Sequence, residues 1–324
     1  MARPYYIGVD MGGTNIRCAA VSAQGRVLMM KRAPANAHAA ADAVTANIVA
    51  RVAELERAAG ERGWGRARAI GVAVPGPLDL RTGVVLAAPH VAAWRSFPLK
   101  RRLERRLGPR VVLENDANAW ALGEFWRGAA RGRRDVVLIT LGTGVGGGLI
   151  VNGHIVHGRR GGAGELGHMT VNPDGPRCDC GSHGCLESYA SASGLRTLVV
   201  SRLRKRPAKL PRKYLDDGGD FSVRRLYRAA RAGDPVARWA FSTAGRYLGV
   251  AIASLLNIFN PELVVLGGGV SGALAFMRAP MMAEVRARSF SAVAAQCRIV
   301  RAGLGREAGV VGAAYAAMHS RRSS

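Results

Sequence analysis

The sequence predicts an α/β fold built from two related halves, and three observations carry that prediction. The chain has 324 residues, too many for one ordinary core and suited to two domains, and 48% of them are hydrophobic. Two segments share a plan: Tyr5 to Val21 (YYIGVDMGGTNIRCAAV) and Asp135 to Val151 (DVVLITLGTGVGGGLIV) are each a β-rich run, a glycine turn and a second β-rich run. A third glycine turn, VVLGGGVSG, follows the apolar run Leu263 to Leu266 at the end of another predicted strand.

Neither of the first two turns opens a helix. That excludes a Walker loop and argues against a dinucleotide fingerprint, since both need a helix directly after the glycines. Each pair is instead predicted to be a hairpin whose tip brings backbone N–H groups to a phosphate with no Cβ in the way. Three such turns, two of them on hairpins opening the halves, predict a duplicated fold with nucleotide held between two domains.

Further along, Arg95 to Arg106 has the pattern of a short amphipathic helix, with Phe97, Leu99, Leu103 and Leu107 on its buried side. Arg110 to Leu113 is a short buried strand leading into Glu114, Asn115 and Asp116. The pattern turns helical from Ala119 to Phe125, with Leu122, Phe125 and Trp126 for one face. Asn115 and Asp116 are both good helix caps. A carboxylate at the carboxyl end of such a strand also lies where α/β folds bind ligands, and it can accept the proton of a hydroxyl that attacks a phosphoryl group.

The segment Glu165 to Glu187 gathers four soft ligands: His168, Cys178, Cys180 and Cys185. Cys3His is a closed tetrahedral set, which predicts a structural zinc rather than a catalytic one. Gly181 and Gly184 supply turns between the ligands, and Glu165 and Glu187 flank the metal loop.

Composition bounds the rest. Of five cysteines, only Cys18 and Cys297 lie outside that cluster, both in apolar runs and both expected to be buried thiols in a reducing cytoplasm. No signal peptide is visible, and no apolar stretch reaches membrane-spanning length. The net charge of +25 is nearly all arginine, densest over Arg95 to Arg106 and Arg196 to Lys213. No aromatic residues are interleaved in the densest part, and no helix-turn-helix or zinc-finger spacing occurs, so no specific nucleic-acid partner is expected. Attraction for polyanions in general, phosphoryl donors included, follows from the field alone.

In order and spacing, GVDMGGTNIR, GVAVPGPLD, ENDANAWALGE, LGTGVGGG, GAGELGH, CDCGSHGCLE and NPELVVLGGGVS resemble the ROK family of sugar kinases and repressors, within the actin-like ATPase and sugar kinase fold. The resemblance covers almost the whole chain. It implies ATP-dependent phosphorylation of D-glucose at the 6-hydroxyl. It also implies that Gly12, Gly13 and Thr14 cradle the donor phosphates from the small domain, and Gly142, Thr143 and Gly144 from the large one. Asp10 would help place Mg²⁺, and Gly268 would contact the adenosine. Asn115, Asp116, Glu165, His168 and Glu187 would hold the sugar, with Asp116 as base and His168 giving one nitrogen to zinc and one to sugar. In AAPHVAAW, His90 stands where family glucokinases often carry Asn, which leaves the sugar open to N-acetylmannosamine, N-acetylglucosamine, mannose, fructose or allose.

Family members that use polyphosphate tend to lack the cysteine box, and the repressors carry a winged helix-turn-helix ahead of the first phosphate loop, which here starts at Gly8. The expected layout is a small domain over residues 1–117, rejoined by a helix over about 308–318, and a large zinc-bearing domain over 118–307. A homodimer is expected.

Overall fold

Alternation of side chains along short strands sets the framework of the computed structural model, which describes residues 4–88, 91, 93–108, 110–204 and 210–320. In chain order the strands are β1 (Tyr5–Met11), β2 (Asn15–Ser22), β3 (Val27–Pro34), β4 (Ile70–Val74), β5 (Leu78–Asp79), β6 (Val84–Ala87), β7 (Arg95–Phe97), β8 (Val111–Asn115), β9 (Val136–Leu141), β10 (Val145–Val151), β11 (His154–Ile155), β12 (Leu263–Gly267) and β13 (Arg298–Arg301). The helices are α1 (Ala41–Gly60), α2 (Leu99–Leu107), α3 (Asp116–Arg127), α4 (Glu187–Ala190), α5 (Ala192–Leu203), α6 (Val223–Arg231), α7 (Pro235–Phe259), α8 (Leu274–Arg288), α9 (Ser291–Gln296) and α10 (Ala308–His319). The chain divides into two units: Met1–Arg133, Gly148–Gly164 and Ala302–Ser324 form the first, Arg134–Gly147 and Glu165–Arg301 the second.

The first unit holds a mixed sheet in the order β3-β2-β1-β4-β8. Its β1–β2 and β2–β3 pairs are antiparallel; β1–β4 and β4–β8 are parallel. Tyr5, Ile7, Val9 and Met11 of β1, with Ile70, Val72 and Val74 of β4, enter one core with Val44, Ile48, Val52 and Leu55 of α1 and Leu99, Leu103 and Leu107 of α2. The intervening positions face α10, where two strand glycines allow backbone to lie on backbone. A Cβ on Gly8 would stand 1.8 Å from the carbonyl oxygen of Val310, and one on Gly71 1.8 Å from that of Ala313. Ala19 and Val21 pack there against Val310, Val311 and Ala314. Helices thus cover both faces of the sheet, as a sheet buried on two sides requires.

One expectation changes here. Phe97 belongs to β7 rather than to the helix, because Pro98 follows it and holds the preceding residue extended. It still reaches the core, stacked on Trp94 at 6.0 Å. Residues 118–133, 148–164 and 302–307 group with the first unit. Glu124 of α3 joins two of these segments. Its wholly buried carboxylate accepts hydrogen bonds from the backbone N–H groups of Ala129 (2.8 Å), Gly303 (2.9 Å) and Leu304 (2.8 Å), tying α3 to the segment that leads into α10.

The second unit holds β9, β12 and β13, neighbours in that order and parallel. Helix α7 is started by Asp234, whose side chain accepts from Ala237 N–H, and by Pro235 in the first turn. Gly245 and Gly249 bring α7 against the backbone of Met277 and Met281 in α8. No helix among the described residues is long and apolar enough to cross a membrane.

Candidate active site

In the first unit, β1 ends at Asp10 and Met11, and the chain turns through Gly12, Gly13 and Thr14 before β2. Gly12 N–H closes the turn on the Asn15 carbonyl (3.0 Å), while Gly13 and Thr14 form its exposed tip. Asp10 faces Arg17 across the hairpin, with a carboxylate–guanidinium distance of 2.9 Å. Burial pushes the Asp10 carboxyl above its usual value, and Arg17 pulls against that shift. Gly309 of α10 makes room for this carboxylate, since a Cβ there would stand 2.7 Å from Asp10 Cγ.

At the start of α3 the structure separates two roles that local sequence left open. Asn115 is the N-cap: its side-chain oxygen accepts from Ala117 N–H (2.9 Å) and Asn118 N–H (3.1 Å), and its amide donates to the Gly76 carbonyl (3.2 Å). Asp116 is the first helical residue and half-buried, with Oδ1 accepting from Ala117 N–H at 2.8 Å.

Beneath this junction lies a pair not singled out in the sequence. Glu114 is 4% exposed, and a carboxylate so enclosed needs hydrogen-bond partners. One oxygen accepts from Asn115 N–H (2.9 Å) and the Asn118 amide (3.2 Å); the other lies 2.8 Å from Nε2 of His157. The bond to Glu114 raises the pKa of His157, although burial opposes it.

In the second unit, the turn joining β9 to β10 is closed by Gly142 N–H on the Gly144 carbonyl (2.9 Å). It is fastened to the start of α4 and α5. Glu187 accepts from Val145 N–H (2.8 Å), Ala192 N–H reaches the Gly142 carbonyl (2.9 Å), and Ser193 Oγ reaches that of Thr143 (3.2 Å). A Cβ on Gly144 would stand 2.3 Å from the Glu187 carboxylate. At the end of β12, Gly268 has φ +81°, and a Cβ on it would meet the Leu141 carbonyl at 2.3 Å. Two of the glycine turns therefore meet, for packing reasons that exclude any other residue at 268.

The cysteine loop follows. The ligand atoms of His168, Cys178, Cys180 and Cys185 all lie within 4.8 Å of one another. Cys180 Sγ and Cys185 Sγ are 3.7 Å apart, and Cys178 Sγ is 3.8 Å from His168 Nδ1. A tetrahedral zinc with bonds of ~2.3 Å to sulfur gives sulfur–sulfur edges of about 3.8 Å, so this donor set fits the ion. Since His168 turns Nδ1 to the cysteines, Nε2 is left on the opposite side of its ring. Glu165 leads into the short turn Leu166–His168, and burial raises its pKa, with Glu187 adding to the effect. Of the two cysteines outside this loop, Cys18 is buried, but Cys297 is only half-buried. His90 lies outside the described residues.

Comparison with known proteins agrees in extent and kind. The ROK family profile matches residues 6–320. A glucokinase of Halalkalibacterium halodurans is 38% identical, covering 97% of this chain and 95% of that protein. A glucokinase of Thermotoga maritima is 37% identical, with 95% of each covered. The crystal structure of a ROK family glucokinase from Streptomyces griseus in complex with glucose and AMPPNP superposes with a TM-score of 0.80 at 36% identity, covering 98% of this chain and 100% of that one.

Proposed function

Because the chain belongs to the ROK family, with its actin-like fold, we infer that it transfers the terminal phosphoryl group of ATP to the 6-hydroxyl of D-glucose. The observation that carries this reading is near-full-length similarity to glucokinases, one of them solved with glucose and AMPPNP, in a chain that keeps both glycine hairpins and the strand-end carboxylate. A coupled ADP-release assay with ATP across hexoses and N-acetylhexosamines tests it. Glucose is expected to give the highest kcat/KM; a clear preference for an N-acetylhexosamine would overturn the choice of sugar, where His90 is the proposed point of departure.

The proposed roles are those the family resemblance implies, and the local geometry is compatible with them. In the first unit, the turn Gly12–Gly13–Thr14 takes donor phosphates through the N–H groups of Gly13 and Thr14, with Gly12 N–H held by Asn15, and Asp10 lies at the turn where it would hold Mg²⁺, which keeps most of its ligands as water and phosphate oxygen. Mg²⁺ would neutralise charge developing on the phosphates. Asp116 accepts the proton of the 6-hydroxyl. Asn115 offers the sugar the amide hydrogen not given to Gly76. In the second unit, Gly142, Thr143 and Gly144 take phosphates, Gly268 borders the adenosine, and Glu165, Glu187 and His168 Nε2 hold sugar hydroxyls. Zinc held by His168, Cys178, Cys180 and Cys185 would fix the imidazole ring. A cytoplasmic homodimer completes the proposal, and sedimentation at micromolar protein checks its size.

Glu114 is proposed as a positioning residue, acting through the Asn115–Asp116 backbone. Glu114→Gln keeps its shape but weakens acceptance from His157, and turnover is expected to fall ~10-fold with the KM for ATP unchanged. A purely structural role would lower thermal stability without that split. Since His157 has a raised pKa in the fold, the pair's stabilisation is complete below the unfolded value of 6.5 and is lost as pH rises through the folded value. The difference in Tm between wild type and His157→Asn is therefore expected to be largest near pH 6 and to shrink toward pH 9.

Donor choice sets composition against site design. A charge of +25 concentrates any polyanion, but salt screens that attraction over ~10 Å at 0.1 M. Productive transfer needs the terminal phosphoryl group held in line, and the turn at Gly268 suits a nucleoside that polyphosphate lacks. At 150 mM salt, ATP is expected to give much the higher kcat/KM, with polyphosphate a salt-sensitive inhibitor. Equal or better use of polyphosphate there would refute the ATP assignment.

A further inference from the structure

A cavity of about 610 Å³ in the first unit lies apart from every residue assigned above, lined by Ser22, Gln24, Arg26, Trp126, Arg127 and Arg131. That volume is within the ~300–1,000 Å³ of small-molecule sites. Trp126 and Arg127 end the helix that Asp116 begins, so the cavity is about 15 Å along α3 from the proposed base. The β2–β3 turn supplies its other wall. Ser22 Oγ accepts from Gln24 N–H and Arg26 N–H at 3.2 Å each, fixing that turn. Gly25, at φ +77°, seats it on α3, because a Cβ there would stand 2.6 Å from Arg127 Cγ and 3.0 Å from the Trp126 ring. Trp126 is backed by Tyr315 of α10, with ring centroids 5.3 Å apart.

The lining chemistry has one sign. Three guanidinium groups and no carboxylate line the cavity, and none of the three is in an ion pair among the described residues. In so basic a chain, unpaired arginines on open faces are ordinary. Here three of them line one half-open cavity beside an indole, while Glu124, the acid at this end of α3, is turned inward onto backbone N–H groups. Guanidinium forks match phosphate oxygens in geometry as well as charge, and an indole offers a flat apolar surface to a ring.

We propose that this cavity is a second ligand site, separate from the catalytic one, for a small phosphorylated molecule whose ring lies against Trp126. A sugar phosphate and a nucleoside monophosphate share that chemistry. Trp126 is packed on Tyr315 and its loss could disturb the fold, so the test uses the exposed arginines.

Binding of glucose 6-phosphate, AMP and inorganic phosphate is measured in turn by calorimetry at 150 mM salt, with glucose and a non-hydrolysable ATP analogue present at saturation. Arg26→Gln/Arg131→Gln is compared with Arg278→Gln/Arg286→Gln, which removes the same charge from exposed positions of α8. At least one ring-bearing probe is expected to bind more tightly than inorganic phosphate. It should weaken at least ~10-fold in the first variant and less than ~2-fold in the second, with kcat unchanged in both. Which probe binds tells sugar phosphate from nucleotide. Equal weakening in the two variants, no weakening in the first, inorganic phosphate binding as tightly as both ring-bearing probes, or no binding at all would each overturn the proposal. The variant comparison reads the cavity whether or not glucose proves to be the substrate.

Discussion

Asp116→Asn is expected to lower turnover at least ~10²-fold, the usual scale for a positioned general base, with a much smaller change in glucose KM. Such a loss corresponds to about 2.7 kcal/mol in the activation barrier. The substitution is clean because Asn115, not Asp116, caps α3. The amide oxygen of an Asn at 116 can still accept the Ala117 N–H that Asp116 Oδ1 holds at 2.8 Å, so that contact is kept while basicity is removed. Asn115→Ala gives the contrast: it removes the cap and should cost about 1 kcal/mol of stability. Comparing Tm and kcat for both variants separates chemistry from folding. Near-wild-type turnover in Asp116→Asn would leave the carboxylate with no role in proton transfer.

Loss of the metal should have the second largest effect. Purified protein is expected to carry about one zinc per chain, and Cys180→Ser should release it. Cys180 is exposed, whereas Cys178 and Cys185 are buried, so exchanging this sulfur for oxygen opens no hole in a core. Any destabilisation must then come through the ion. A closed structural site contributes to folding directly, and each 1 kcal/mol lost from a unit of this size lowers Tm by ~2–4 °C, so a fall of at least ~5 °C is expected. A chelator acting on wild-type protein should reproduce it. Glucose KM should rise as well, because His168 loses the partner that aims Nε2. Elemental analysis that finds active wild-type protein free of zinc would refute the site.

Features set by neighbours in sequence were legible before the structure. Apolar and glycine-rich runs predicted both hairpins and β8, and the spacing of His168, Cys178, Cys180 and Cys185 predicted a cluster that the fold assembles at tetrahedral distances. Features set by distant partners were not. Nothing near Glu114 points to His157, 43 residues later, and nothing near Asp10 points to Gly309. Asn115 and Asp116 are equally good caps by type; only the backbone geometry shows which one bends out of the helix. Glu124 likewise finds two of its partners 179 and 180 residues away.

The seating of α10 on Gly8 and Gly71 has a consequence for how the protein is made. The first unit takes its first 133 residues and its closing helix from opposite ends of the chain, separated by the 168 residues from Arg134 to Arg301. A ribosome adding ~5–20 residues per second needs about 10–30 s to cover that interval. Throughout it, the face of the sheet carrying Ala19 and Val21 has no helix to cover it. That apolar sheet surface therefore stays uncovered until the twelve residues of α10 arrive.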